Sequence, residues 1–176
     1  MHPESEIIAC SFVNPMPIAA DTLSLLILVC TSIFVLAWGL DALTHAKIAN
    51  TDITDRELHT HRILILSSGL LQAVLLLFYW FDYEVLPFFV ALLFTRTVHE
   101  VIDEVKFHSD RCTFRETCIH FVMWVSILSQ IGFLFYWGFF YHYQGLFALP
   151  FFHVIWGALL VLLMAVISWK EWFLAP

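Results

Sequence analysis

The chain has 176 residues, of which 61% are hydrophobic, 17% aromatic and only 13% charged, and its mean hydropathy is +0.84. A soluble domain of this length would need a far more charged surface, so the composition excludes a soluble globular fold. A net charge of −7, with eight Lys and Arg in total, excludes a nucleic-acid-binding protein. The sequence therefore predicts an all-α, polytopic membrane helix bundle.

Five apolar stretches are long enough to cross a bilayer, since a transmembrane helix needs about 20 mostly apolar residues. They are joined by short connections, which favours antiparallel neighbours in one bundle. The predicted domain organisation is an extracytoplasmic N-terminal segment, residues 1–21, followed by a single transmembrane domain, residues 22–176. Within that domain the predicted spans cover residues 22–45, 55–81, 87–108, 114–142 and 151–173.

The basic residues predict the orientation of these spans. All of them fall on or near the side that carries the 1–2 connection, the 3–4 connection and the C-terminus: Lys47, Arg56, Arg62, Arg96, Lys106, Arg111, Arg115 and Lys170. Because Lys and Arg concentrate in cytoplasmic loops, this side is predicted to be cytoplasmic and the N-terminus to lie outside. The expected location is the plasma (inner) membrane, with membrane lipids as the surrounding partners.

Carboxylates and histidines collect on the same side with a regular spacing. Residues four apart share a helix face, so an acid and an imidazole at this spacing can bind one metal ion, or one can orient the other. Five pairs have this spacing: Asp41/His45, Glu57/His61, His99/Asp103, Glu104/His108 and Glu116/His120. The predicted metal ligands are Asp41, His45, Glu57, His61, His99, Asp103, His108, Glu116 and His120, and the predicted catalytic bases are Glu100 and Glu104.

A short repeat links two of the predicted helices. The pattern T-x-R-E-x-x-x-H begins at Thr54 and again at Thr113, and each copy follows a helix that ends in acid-x-x-x-His. We therefore expect two pseudo-repeated hairpins plus one extra span. The same pattern also fits a helix-capping box, which would assign Glu57 and Glu116 to helix starts instead of a metal.

The favoured function is a metal-dependent membrane enzyme with one or two ions at the cytoplasmic interface. Mixed carboxylate and imidazole ligands suit Fe, Mn or Zn, so the reaction would be oxidation or hydrolysis of a lipid-like, membrane-soluble substrate. The Glu-x-x-His motif of soluble di-iron bundles is absent, which counts against that particular fold.

Three alternatives stay open. One is a non-enzymatic membrane subunit or small transporter that passes protons or metal ions through the polar cluster. Another is a structural ion network involving Arg96, Lys106 and Arg115. The third is a haem-binding subunit with His61, His99 or His120 as axial ligand, although the surplus of carboxylates disfavours haem. Assembly into an oligomer or a larger membrane complex is also left open.

Overall fold

The computed structural model describes residues 18–48, 54–81, 83–108 and 113–174, without the side chains of 44–48, 108 and 174. The described residues are almost entirely helical, which confirms the predicted all-α class. A π-helical segment, Asp103–His108, directly continues α3, and a short 3-10 turn, Leu146–Ala148, precedes α5. The long helices are α1 (Ala20–Ile48), α2 (Asp55–Leu77), α3 (Leu86–Ile102), α4 (Phe114–Tyr141) and α5 (Phe151–Leu174).

Local sequence signals explain where several helices begin and end. Thr54 and Thr113 have extended backbone and cap the starts of α2 and α4, as expected for hydroxyl side chains that accept an early amide. Pro87 lies in the first turn of α3, where its missing N–H costs nothing. At the other end of α4, His142 adopts a left-handed conformation with φ 46° and its amide donates to Gly138, which closes the helix.

The helices pack in the order α3, α2, α4, α1, α5 across the bundle. α1 lies along both α4 and α5, whereas α2 packs mainly on α3 and also touches α4. The most extensive contact of α1 is therefore with α4 instead of its chain neighbour α2. The hairpins predicted from the repeat pair α1 with α2 and α3 with α4. The most extensive contacts are instead between α1 and α4 and between α2 and α3, so the repeat does not determine which helices pack together.

An aromatic core fills one end of the bundle, which we call the aromatic end. The ring of Phe78 lies 5.6 Å from Phe135 and 5.4 Å from Phe139, both edge-on, and Phe89 stacks on Phe135 at 4.7 Å. Beside them the hydroxyl of buried Tyr143 donates to the carbonyl of Leu75 at 2.8 Å. Burial raises the pKa of the Tyr143 hydroxyl, so this group stays a neutral donor.

Four of the described helices are long and apolar enough to cross a membrane. They are Ala20–Leu43, Asp55–Leu77, Phe114–Tyr141 and Phe151–Phe173, and most of each apolar stretch faces outward. The third predicted span differs from them, because α3 has 17 residues and reaches only about 25 Å at the usual helical rise. The four long apolar helices support a membrane protein. A fifth span at α3 and the orientation of the bundle remain predictions.

Candidate functional site: an acid–histidine cluster

His120 lies at the centre of a polar cluster at the opposite end of the bundle, which we call the cluster end. Its Nδ1 is 2.6 Å from Oε1 of Glu104, and its Nε2 is 3.1 Å from Oδ1 of Asp41. These carboxylates come from the π-helical segment and from α1, so three elements meet at one imidazole. An imidazole donates from both nitrogens only when it is protonated, so this geometry is that of an imidazolium between two carboxylates.

The π-helical segment directs two consecutive carboxylates to two different helices. Glu104 reaches His120 on α4, while Asp103 Oδ1 lies 3.2 Å from Nε2 of His61 on α2. π-helical turns are rare and occur frequently at functional sites. The two acid–imidazole contacts therefore sit side by side on one turn of the chain. We define the acid–histidine cluster as Asp41, His61, Arg96, Glu100, Asp103, Glu104 and His120.

Arg96 and Glu100 form the inner side of this cluster on α3. The guanidinium is buried, and its Nη2 is 2.6 Å from Oε2 of Glu100, one turn later. Its Nε donates to Oγ of Ser68 on α2 at 3.1 Å. Glu100 also interacts electrostatically with Asp103, Glu104 and His120. The predicted base Glu100 is thus held in an ion pair, and Glu104, the other predicted base, contacts an imidazole.

Glu57 and Glu116 take the roles that the capping-box alternative predicts. Glu116 Oε2 accepts the Thr113 amide at 2.6 Å and the Thr113 hydroxyl at 2.9 Å. Glu57 Oε2 likewise accepts the Thr54 amide at 3.4 Å. Both boxes are complete, so helix capping accounts for the positions of these two predicted ligands.

The remaining predicted ligands are divided. His99 turns back on its own helix, where Nδ1 lies 2.8 Å from the carbonyl oxygen of Thr95 and donates to it. The side chains of His45 and His108 lie outside the described residues. The contacts of Asp103 with His61 and of Glu104 with His120 join different helices, whereas Glu57 and His61 interact electrostatically within α2.

Glu171 was missed in the sequence analysis. Its Oε1 accepts the indole N–H of Trp38 at 2.8 Å, and it interacts electrostatically with His61. Beside it, Arg62 donates to the carbonyl of Trp172 and lies over that indole ring. These contacts fasten the end of α5 to the cluster end. The sequence feature that could have indicated Glu171 is its position, because it is a single carboxylate that follows an apolar span on the side that holds the basic residues.

Polar contacts continue from the cluster towards the middle of the bundle. One turn beyond Ser68 on α2, the amides of Gln72 and Gln130 exchange two hydrogen bonds of 2.9 and 3.1 Å between α2 and α4. Past this pair the aromatic end begins at Phe78, where the described core is mainly apolar and its buried polar side chains include Tyr143 and the contacting pair Ser24 and His153. The described polar contacts that start at the cluster thus reach Gln72 and Gln130, and the polar groups at the aromatic end have partners of their own.

The chemistry of the cluster rests on its own residues. Comparison of the chain with family models, curated proteins and solved structures finds no match. Within the described residues, no group of three or more His, Cys, Asp or Glu side chains is arranged to hold a metal ion. The two carboxylates at His120 lie on opposite sides of its ring, an arrangement suited to holding a proton on each nitrogen.

Proposed function

We propose that the protein is a non-enzymatic integral membrane protein that takes up and releases protons at its acid–histidine cluster. The observation that carries the proposal is the contact of both ring nitrogens of His120 with carboxylates. Histidine is the side chain whose ordinary pKa lies closest to neutral pH, and neighbouring charges shift that pKa. A histidine held this way from three elements fits a proton-binding site.

The charges around His120 support proton binding over a fixed ion pair. Glu100 faces it electrostatically from α3 and is itself paired with Arg96. The cluster has four acids and one permanent cation, Arg96, so protons on its two histidines reduce its net charge from −3 to −1. The ionisable groups that interact with His120 include Asp41 on α1, Glu104 on the π-helical segment and, electrostatically, Glu100 on α3.

Access to this site is proposed from one membrane face. The polar contacts run from the cluster to Gln72 and Gln130 and then meet the aromatic end. The described core beyond that pair is mainly hydrocarbon, which offers no hydrogen-bonding groups to carry a proton further, and the buried Ser24 and His153 at that end contact each other. We therefore favour a subunit in which proton binding changes packing or partner contacts over a transporter formed by this chain alone.

The direct test is a pH titration of ¹⁵N-histidine-labelled protein in nanodiscs, read by the nitrogen chemical shifts of the rings. We expect His120 to have both ring nitrogens in the imidazolium range at pH 7 and to lose a proton as the pH is raised, and His120→Gln should remove that signal. His99→Gln is the matched control and should leave it in place. A ring that stays protonated throughout the titration would indicate a fixed ion pair. A neutral His120 ring at pH 7, or ring shifts typical of a metal-bound nitrogen, would contradict the proposal.

Vesicles that contain a pH dye separate the subunit from the transporter. The chain alone should not dissipate an imposed pH gradient faster than protein-free vesicles. A gradient loss that His120→Gln abolishes would instead assign a transporter, which is the other form of this function class.

A metal-dependent membrane enzyme is the second candidate. The surplus of carboxylates favours it, because Glu100, Asp103 and Glu104 lie within two helical turns with Arg96 as their close permanent cation. The donor types would suit Fe, Mn or Zn, with a lipid-like substrate entering from the membrane. Elemental analysis of purified protein tests this candidate: stoichiometric metal that is lost in both His61→Ala and His120→Ala would favour it over proton binding.

We also propose five spans, with the cluster end in the cytoplasm and the N-terminus outside. The exposed bases at the cluster end support this orientation. A membrane-impermeant thiol reagent should label Cys112 from the cytoplasmic side and Cys10 from the outside. Labelling of Cys10 from the cytoplasm would overturn the orientation.

A further inference from the structure

Exposed basic side chains gather at the cluster end. Arg62 contacts Trp172, and Arg96 contacts Glu100. The exposed members of the described bases are Arg56 on α2, Lys106 on the π-helical segment, Arg115 on α4 and Lys170 on α5. The cluster end thus carries positive charge on its surface, although its interior is acidic.

Three of these bases directly follow a large apolar side chain that is itself exposed. Val105 is 67% exposed before Lys106, Phe114 is 86% exposed before Arg115, and Trp169 is 65% exposed before Lys170. The three pairs lie on three different elements, so no single helix pattern produces them. We call Lys106, Arg115 and Lys170 the basic rim.

At a membrane surface the two side chains of such a pair favour different environments. Consecutive helical residues point about 100° apart, so the apolar side chain can enter the hydrocarbon while the base extends towards the phosphates. Arg56 lacks this arrangement and stands next to exposed Asp55, which offsets its charge. For this reason it is left out of the basic rim.

We propose that the basic rim binds the headgroups of anionic phospholipids. The occupant follows from charge complementarity and position, because three exposed bases, each next to an exposed apolar side chain, stand on three elements at one end of an apolar bundle. The acids of the cluster repel these lipids only weakly, since Asp41 and Asp103 are buried, Glu100 is paired with Arg96 and Glu104 contacts His120. The inference does not depend on whether the cluster binds protons or a metal.

The test measures lipid preference in nanodiscs, using spin-labelled phosphatidylglycerol against spin-labelled phosphatidylcholine. The wild-type chain should prefer phosphatidylglycerol. Each single substitution, Lys106→Gln, Arg115→Gln or Lys170→Gln, should lower that preference by about fivefold at low salt if the base lies at the headgroup surface. The triple variant should associate equally with both lipids.

The control variant is Asp21→Asn with Glu84→Gln, which changes exposed charges at the aromatic end and should leave the preference unchanged. Equal thermal stability of all variants in pure phosphatidylcholine guards against misfolding as the cause. A triple variant that keeps the wild-type preference would overturn the proposal. Competition by inorganic phosphate at millimolar concentration would also overturn it, in favour of a site for a soluble anion.

Discussion

Gly138 offers a sharp test of how the aromatic end is packed. A Cβ atom built at this position would lie 2.8 Å from the Cζ and Oη atoms of Tyr143. Real Cβ contacts are longer, so either the ring or α4 must move. Tyr143 has little freedom to do so, because it is buried, its hydroxyl donates to Leu75, and Trp137 packs against its ring at 5.4 Å.

The expected magnitude for Gly138→Ala follows from three contributions to the free energy of unfolding. Alanine instead of glycine inside a helix gains about 0.8–1.0 kcal/mol. Overpacking a filled core costs about 1–3 kcal/mol, and displacing the Tyr143 hydroxyl from its acceptor costs about 0.5–1.5 kcal/mol more. We expect a net loss of about 0.5–3.7 kcal/mol.

Gly132 on the same helix is the matched control, since a Cβ there meets nothing within 4 Å. Gly132→Ala should therefore stabilise the protein by up to about 1 kcal/mol. Equilibrium unfolding in mixed micelles, followed by circular dichroism, measures both changes. In a Tyr143→Ala background the Gly138→Ala cost should disappear. Equal effects at the two glycines, or a cost that persists without the Tyr143 ring, would refute the reasoning.

Two further substitutions test the polar contacts between and within helices. Gln130→Leu should destabilise the bundle by about 1–2 kcal/mol, because it removes two interhelical hydrogen bonds and strands the amide of Gln72; a double-mutant cycle with Gln72→Leu should then give a coupling of about 1 kcal/mol, and additive effects would contradict the pairing. Thr113→Val should cost about 1 kcal/mol by removing the α4 cap, with Thr113→Ser as the conservative control that retains the hydroxyl and the stability; amide hydrogen exchange at the Glu116 N–H, faster only in the valine variant, locates the effect.

Much of the fold follows from local sequence. Three helix starts, at Asp55, Phe114 and Phe151, match the predicted span boundaries, since capping threonines and Pro150 define them independently of packing. The end of α3 was only partly predictable. The predicted span reached residue 108, and the chain is helical to that point, but it changes to a π-helix at Asp103. No local pattern in the sequence distinguishes that wider turn from a regular one.

The pairing of side chains in the site could not be predicted from spacing. A separation of four residues tells which groups share a helix face, but not which helix that face meets. The sequence paired Glu104 with His108 and Asp41 with His45, two histidines whose side chains lie outside the described residues, and it did not indicate that both acids contact His120 from different elements. These contacts with His120 require α1 to pack against α4. Because the helices have similar apolar faces, the sequence does not show which of them pack together.

The distance along the chain between Asp41 and His120 also has a consequence for biogenesis. The two residues are separated by 79 positions, and ribosomes add about 5–20 residues per second. His120 is therefore synthesised about 4–16 seconds after Asp41. The place of Asp41 near the end of α1 allows its carboxylate to stay hydrated at the bilayer surface during that interval, so that the first helix can insert long before the site is assembled.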